Sequence, residues 1–345
     1  LVVMITNTQV NMSMSPSRPN FTHIFQKLRQ FDDPNQWRVT GPVIKSRQCN
    51  IYQAQSPFLA KKLAIKHYHA TSGNMAPQRQ FAALERYQAA MAKRQFNFRV
   101  PETYLFDAEQ SCIVMEWICG TSLHRQLWNP GVASPSVRKE LLKKTGAWLR
   151  EFHAVTGIET TETSRASFLT GTSRQLEKIG QSPRKSAASD PLFMRVHNGL
   201  QKMTAVNEQF QLPSAILHGD FTPFNLHISA QTVIGVDIWA NGRGPIFSDL
   251  ARMLVYLSIA YPLLNRHPLY APSDRFSDSL MPLLQGYGPD LIDPQTDVFK
   301  ITLAAEYLRR WLVISMRSRN LKRTFTDRYQ MLQIRKQLKT LLRFI

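Results

Sequence analysis

His218-Gly219-Asp220-Phe221-Thr222-Pro223-Phe224-Asn225 is followed by Asp237 twelve positions later, inside Val233-Ile-Gly-Val-Asp-Ile-Trp239. An acid, an amide five residues on and a second acid past a short apolar run form a set suited to phosphate chemistry. Transfer of a γ-phosphoryl group asks little covalent help of a protein and mostly needs positioning and charge neutralisation. Asp220 would accept a hydrogen bond from an attacking hydroxyl and later its proton. Asn225 and Asp237 offer the hard oxygens that Mg²⁺ prefers. His218 and Gly219 read as structural, the one fixing the loop and the other permitting a tight backbone. An ordinary surface turn is the competing reading, since Asp, Asn and Pro are common turn residues. The position of Asp237 argues against it.

These residues need a scaffold. Apolar and β-branched runs predict strands over Trp37–Ile44, Asn50–Gln55, Leu59–Tyr68, Glu102–Phe106 and Cys112–Ile118. A short helix and turn are expected over Phe21–Trp37. Phe81, Leu84, Tyr87 and Met91 give Gln78–Lys93 a helical period, and Ser136–Ala154 has a strong amphipathic one. Thr156–Asp190, rich in Ser and Thr, is expected to be a loop broken by short helices. Short strands at Ile216–Leu217, Leu226–Ile228 and Val233–Asp237 bracket the catalytic run. From Phe247 the chain should be helical, interrupted over Pro262–Pro282. The expected fold is α+β, with a polar leader over residues 1–20, a sheet-rich lobe over 21–119 and a helical lobe over 120–345.

With 345 residues and 43% hydrophobic residues the chain has material for one large core or two modest ones. Cys49, Cys112 and Cys119 show no paired metal spacing, and Cys112 and Cys119 lie in an apolar stretch that suggests buried thiols. This usage fits a reducing, cytoplasmic compartment. Leu1–Val10 lacks the cationic front of a signal peptide, and Leu1 suggests a start at Met4, Met12 or Met14 instead. No window has the length of a membrane helix; Met253–Leu264 comes nearest and suits a buried core helix. A net charge of +19 implies attraction to something anionic.

The motif pair resembles the aminoglycoside phosphotransferase family, which shares the protein-kinase-like fold with choline, homoserine and methylthioribose kinases. The resemblance spans Val39–Leu257. It implies ATP as donor, Asp220 as catalytic base and Asn225 and Asp237 as Mg²⁺ ligands. It also implies a phosphate-binding lysine on the third strand, Lys66 in Leu-Ala-Ile-Lys-His-Tyr, paired with Glu85 of the following helix. Met115 would flank the adenine, and the Glu116 carbonyl and Ile118 amide would read its edge. His153 would pack and hydrogen-bond, and Asp249 would support the catalytic loop from a helix start.

Two features depart from the family pattern. The segment expected to cover the nucleotide contains only Gly41, which leaves Ser46, Arg47 and Gln48 to meet phosphates by other means. Trp239 stands two residues past the metal acid, where Gly or an acid is usual. A nucleotide-binding module without turnover is therefore the alternative to an enzyme.

Arg317–Ile345 sets Arg317, Arg319, Lys322, Arg323, Arg328, Arg335, Lys336, Lys339 and Arg343 against Asp327, with Met331, Ile334, Leu338, Leu341 and Ile345 at helical spacing. It reads as a packed final helix with a solvated cationic face, or as a surface for anionic membrane at the inner face. The acceptor is expected to be a sugar, an amino alcohol or a lipid-linked glycan, and the charge balance favours an anionic or membrane-proximal one, such as a glycan precursor, over a cationic antibiotic. Acceptor contacts are expected within Thr156–Asp190 and after Phe247. No aromatic-basic module for nucleic acid is visible.

Overall fold

The computed structural model describes residues 21–28, 36–46, 48–56, 62–69, 75–94, 97–128, 134–164, 190–205, 209–240, 242–260, 274–315 and 321–343. The expected leader, Arg47, Arg317, Arg319 and Ile345 lie outside them, as does most of the stretch after Ser164.

The chain opens with helix α1 (Thr22–Lys27) and strands β1 (Arg38–Lys45), β2 (Cys49–Gln55) and β3 (Lys62–Tyr68). Helix α2 (Met75–Ala92) precedes β4 (Phe98–Arg99), β5 (Thr103–Asp107) and β6 (Cys112–Glu116). Strands β1, β2, β3, β6 and β5 form one antiparallel sheet in that order. Alternating β-branched and apolar residues suit such a half-buried pleat. One face packs on Ile24, Phe25 and Trp37, where Phe25 and Trp37 stack at 5.2 Å.

Helices dominate the rest: α3 (Leu123–Trp128), α4 (Pro135–Val155), α5 (Pro191–Ala205), α6 (Phe247–Ala260), α7 (Asp274–Tyr287), α8 (Asp297–Ser315) and α9 (Leu321–Leu341). Ser134 caps α4 by accepting the Val137 amide at 3.3 Å, and Pro135 opens the helix where its missing N–H costs nothing. Two small sheets run between the helices. One joins β4, β10 (Val233–Gly235) and β9 (Leu226–Ile228), and the other joins β11 (Arg243–Pro245), β8 (Gln209–Ile216) and β7 (Glu159–Ser164).

Helices α4 and α7 meet backbone to backbone. A methyl group on Gly146 would sit 2.0 Å from the Leu283 carbonyl oxygen, and one on Gly286 would sit 1.9 Å from that of Lys143. Only hydrogen fits at both places. Beneath the catalytic run, Trp148 stacks at 5.3 Å on Phe152 and at 5.9 Å on Phe221, and Phe152 stacks at 4.1 Å on Tyr87.

Several expectations are corrected. Glu159–Ser164 is a strand, because its alternating residues pair with Gln209–Ser214. The strand expected at Ile216–Leu217 belongs to an eight-residue strand that stops at Ile216. Pro282 does not interrupt α7; it lies inside that helix, buried, where its lost hydrogen bond is offset by packing. Cys112 is buried and its thiol is pushed up to about 12 by burial, but Cys119 is exposed. The final helix packs through Ile334 and Leu338, both fully buried, and turns Arg328, Lys336 and Lys339 outward, with Arg343 just beyond its end. No helix among the described residues is long and apolar enough to cross a membrane.

Candidate active site

Asp220 and Asn225 lie on the turn between β8 and β9, and Gly219 starts it with φ +86°, a region open to glycine at little cost. The Asn225 side-chain amide donates to the Asp220 carbonyl at 2.8 Å and to Asp220 Oδ2 at 3.1 Å. Among the described residues, Asp220 Oδ1 and Asn225 Oδ1 take no hydrogen bond. Two backbone bonds straddle Asp237 and stitch it to this turn: Val236 N–H to the Asn225 carbonyl (2.9 Å) and Trp239 N–H to the His218 carbonyl (3.1 Å). Asp237 itself has φ +59°, a sparsely populated backbone for a non-glycine residue.

The turn is supported from behind by buried Asp249 at the start of α6. Its Oδ2 accepts the His218 amide at 2.7 Å and its Oδ1 the Gly219 amide at 3.2 Å. His153 Nε2 meets Asp249 Oδ2 at 3.2 Å, and His153 Nδ1 meets the Tyr287 hydroxyl at 2.8 Å. Burial opposes the charge on Asp249, yet the His153 bond holds its pKa below the ordinary 3.8. His218 Nδ1 accepts the Asp220 amide at 3.3 Å, which puts a neutral ring's proton on Nε2. Burial pushes that ring's pKa below the usual histidine value, in keeping with the neutral form.

Lys66 reaches this turn from β3. Its ammonium lies 2.6 Å from Asp237 Oδ1 and 2.8 Å from Gln80 Oε1. It also lies 5.3 Å over the Tyr68 ring and 5.5 Å over the Trp239 ring. Trp239 thus caps Lys66, giving a role to one of the two departures from the family pattern. Burial alone would discharge Lys66, but attraction to Asp237 outweighs it and raises the pKa above 10.5. The same pairing overcomes burial at Asp237 and holds its pKa below 3.8.

Glu85 does not take part. It is exposed and makes no ion pair with Lys66. Leu84, Tyr87 and Met91 define the buried stripe of α2, and Glu85 is one residue, about 100° of helix, off it. Gln80, four residues before Leu84, is on that stripe and buried. Its amide nitrogen donates to Asp237 Oδ1 at 3.0 Å and to the Ile238 carbonyl at 3.3 Å, and its oxygen also accepts the Tyr68 hydroxyl. A polar residue on an apolar helical face was the signal for it.

At the end of the interior strand β6, the Glu116 side chain forms a two-pronged pair with Arg99, one contact at 2.8 Å, and accepts the Glu102 amide at 3.3 Å. The Trp117 amide donates to Lys62, whereas the Ile118 amide has no partner among the described residues. Met115 is half-buried, between the main core and the smaller cluster of Tyr68, Ile113 and Trp239. Ser46 is turned inward: its hydroxyl accepts the Gln48 and Cys49 amides at 3.2 and 3.0 Å and closes its own turn. Another acidic cluster, His23, Asp107 and Glu109, already holds the Lys27 ammonium, at 3.0 Å from Asp107 and 3.4 Å from Glu109.

The oxygens of Asn225 Oδ1 and Asp237 Oδ2 remain without hydrogen bonds among the described residues and are hard donors beside a lysine ammonium. That donor set fits a divalent cation such as Mg²⁺.

A profile of the phosphotransferase enzyme family matches residues 61–267. Among solved structures, amicoumacin kinase hAmiN in complex with AMP-PNP, Ca²⁺ and Ami superposes with a TM-score of 0.55 at 13% identity, covering 88% of this chain and 89% of that one. A choline/ethanolamine kinase family protein from Mesorhizobium loti gives 0.54 at 12%, covering 92% and 93%. The streptomycin-ATP-APH(2")-IIa ternary complex gives 0.52 at 11%, covering 88% and 91%. No curated protein matches the sequence. The α+β architecture is thus the protein-kinase-like one of these kinases.

Proposed function

The chain belongs to the phosphotransferase enzyme family, a small-molecule kinase, and from that premise we propose that Asp220 is its catalytic base, with ATP as donor and a hydroxyl of a small molecule as acceptor. The observation that carries this reading is the clamp of Asn225 on Asp220, 3.1 Å from the amide nitrogen to Oδ2. It fixes one carboxylate oxygen and leaves Oδ1 to meet the incoming hydroxyl.

The residue roles follow from geometry and charge. Asp220 Oδ1 orients the acceptor hydroxyl and takes its proton as the oxygen bonds to the γ-phosphorus, the bridging bond to the β-phosphate breaks and ADP leaves. Asn225 Oδ1 and Asp237 Oδ2 would hold Mg²⁺. Bound there, the ion neutralises phosphate charge. Lys66, kept protonated by Asp237, brings a positive charge to the nucleotide phosphates. Gln80 holds Lys66 and Asp237 together and aims both. The open Ile118 amide and the Glu116 carbonyl would read the adenine edge, with Met115 beside it. Asp249 and His153 hold the turn without touching a reactant.

We read the two units as residues 21–119 for the nucleotide and 120–345 for the acceptor. A sugar is the favoured acceptor, and a lipid-linked glycan at the inner membrane face is the finer version. Support for the latter is the charge of +19 and the outward Arg328, Lys336 and Lys339 of α9 with Arg343 just beyond it. Binding to anionic vesicles across a salt series tests it, and salt-insensitive or undetectable binding would remove the membrane from the account. The central test is Mg²⁺-dependent ATP turnover with a panel of hydroxyl acceptors. Wild type should turn over, and Asp220→Ala should be at background. Equal turnover in both proteins would falsify the role of Asp220.

A further inference from the structure

Helix α6 is buried along most of its length, but Ser248, Arg252 and Tyr256 break the pattern at four-residue spacing and are half-buried. That spacing puts all three on one side. The side opens on a cavity of ≈ 690 Å³ whose walls include Leu217, Ser248, Arg252, Arg243, Glu306 and Arg309. Leu217 is three residues before Asp220, so the cavity abuts the strand end that carries the proposed base.

Its charges are arranged in a specific way. Glu306, from α8, is gripped by Arg252 Nε at 3.0 Å and by Arg309 Nε at 2.8 Å to each carboxylate oxygen. Two guanidinium groups therefore pair with one acid and keep it ionised, with Oε2 taking only the Arg309 Nε among the described residues. The Nη1 and Nη2 groups of Arg252 and Nη1 of Arg309 still have no partner among the described residues. Arg243 is fixed by the carbonyls of Thr156, Gly157 and Ser214 at 3.1, 3.1 and 3.0 Å. Among the described wall residues, the cationic N–H groups left over on Arg252 and Arg309 are donors. Among the described wall residues the acids are Glu306, already paired with two arginines, and the exposed Glu162, so a cationic ligand finds little to meet it. An anion would find guanidinium forks held in place before it arrives, which is the arrangement that recognises carboxylates and phosphates.

We propose that this cavity is the anion pocket of the acceptor: it takes a carboxylate or phosphate carried by the hydroxyl compound, on Arg252 and Arg309, and so makes a negatively charged sugar or hydroxy acid the preferred class. The inference rests on the phosphotransferase reading above. Tyr256, one turn beyond Arg252, lies edge-on to Phe224 of the catalytic turn at 6.2 Å, and Phe224 is 48% exposed. Phe224 stacks on His124 at 4.0 Å and leaves the rest of its ring exposed, four residues from the proposed base, for the uncharged part of the acceptor.

The test is calorimetric titration of the full chain with its nucleotide site saturated by AMP-PNP and Mg²⁺. The probes are inorganic phosphate, glucose 6-phosphate, gluconate, glucose and glucosamine. Phosphate and either glucose 6-phosphate or gluconate should bind saturably, more weakly in high salt, and the better of the two identifies the anionic group. Glucose and glucosamine should bind far more weakly. Arg309→Gln should weaken the anionic probe about tenfold or more. Ser248→Leu narrows the cavity one helical turn from Arg252 without removing a charge and should also weaken it, which keeps the test open should Arg309→Gln fold poorly. Equal or tighter binding of glucose or glucosamine overturns the proposal. So does failure of every anionic probe in a wild-type protein that turns over ATP with Mg²⁺. Saturable anion binding without any such turnover instead sinks the phosphotransferase reading beneath it.

Discussion

The Gln80 side chain of α2 touches both partners of the Lys66–Asp237 ion pair, accepting from the lysine at 2.8 Å and donating to the aspartate at 3.0 Å. A neutral amide suits this place because it has a donor and an acceptor on one planar group, whereas a carboxylate would repel Asp237. Glu85, five residues later, points to solvent. Gln80→Ala should therefore lower kcat/KM by about ten- to hundredfold, on the order of 1.4 to 3 kcal/mol of transition-state stabilisation. Glu85→Ala should stay within about twofold of wild type. Steady-state kinetics on both variants decides the matter, and the reverse ranking would restore the glutamate as Lys66's partner.

Asp220→Asn keeps the size of the side chain and removes its ability to take a proton. Loss of general base catalysis is worth about 10²- to 10⁴-fold. The fall should appear in kcat, with nucleotide affinity in a fluorescence titration little changed. A mutant that loses nucleotide binding instead would assign Asp220 to another task.

Asp249→Asn should damage the fold more than the chemistry. Both carboxylate oxygens receive buried amides from the turn, and Oδ2 also meets His153. The new NH₂ group would face donors and leave one of them unsatisfied. We expect a loss of about 3 kcal/mol or more, read from denaturant unfolding. Tyr287→Phe removes only the hydroxyl at 2.8 Å from His153, and should cost about 1–3 kcal/mol. A silent Asp249→Asn would show that the turn holds its shape unaided.

Glu306 gives the stability a particular acid limb. Burial opposes its charge, but Arg252 and Arg309 hold its pKa down to about 2, below the ordinary 4.5. A depressed carboxylate contributes stability that is complete above the unfolded value and lost as pH falls toward the folded one. The window is therefore about pH 4.5 to 2, and the amount at stake is on the order of 3 kcal/mol. Unfolding free energies measured down that range should fall more steeply in wild type than in Glu306→Gln. Parallel curves would show that the triad adds nothing to acid sensitivity.

Much of this organisation was legible in the sequence. The strand runs were found because alternating apolar residues leave a strong signal, and the catalytic turn because its residue types are tied to one chemistry. Order along the chain pointed to Glu85 as the partner of Lys66, but the helical face did not; the buried face carries Gln80, which makes the contact. Strand β7 was hidden because Glu159-Thr-Thr-Glu-Thr-Ser164 is polar on both sides and becomes a strand only through its partner β8. The arginine cavity was invisible for a similar reason. Arg252 and Glu306 are 54 residues apart, and no local pattern announces a pair formed by packing.

The contact of Gly146 and Gly286 separates two kinds of evolutionary freedom. It joins α4, which carries His153, to α7, which carries Tyr287, through main chain alone, and so it has no rotamer to change. The turn that bears Asp220 inherits its position from that joint. Ser248, Arg252 and Arg309 line the cavity beside α6 and take no part in it. On the proposed reading of the cavity, changes at those side chains alter the preferred acceptor while the turn that bears Asp220 keeps its place.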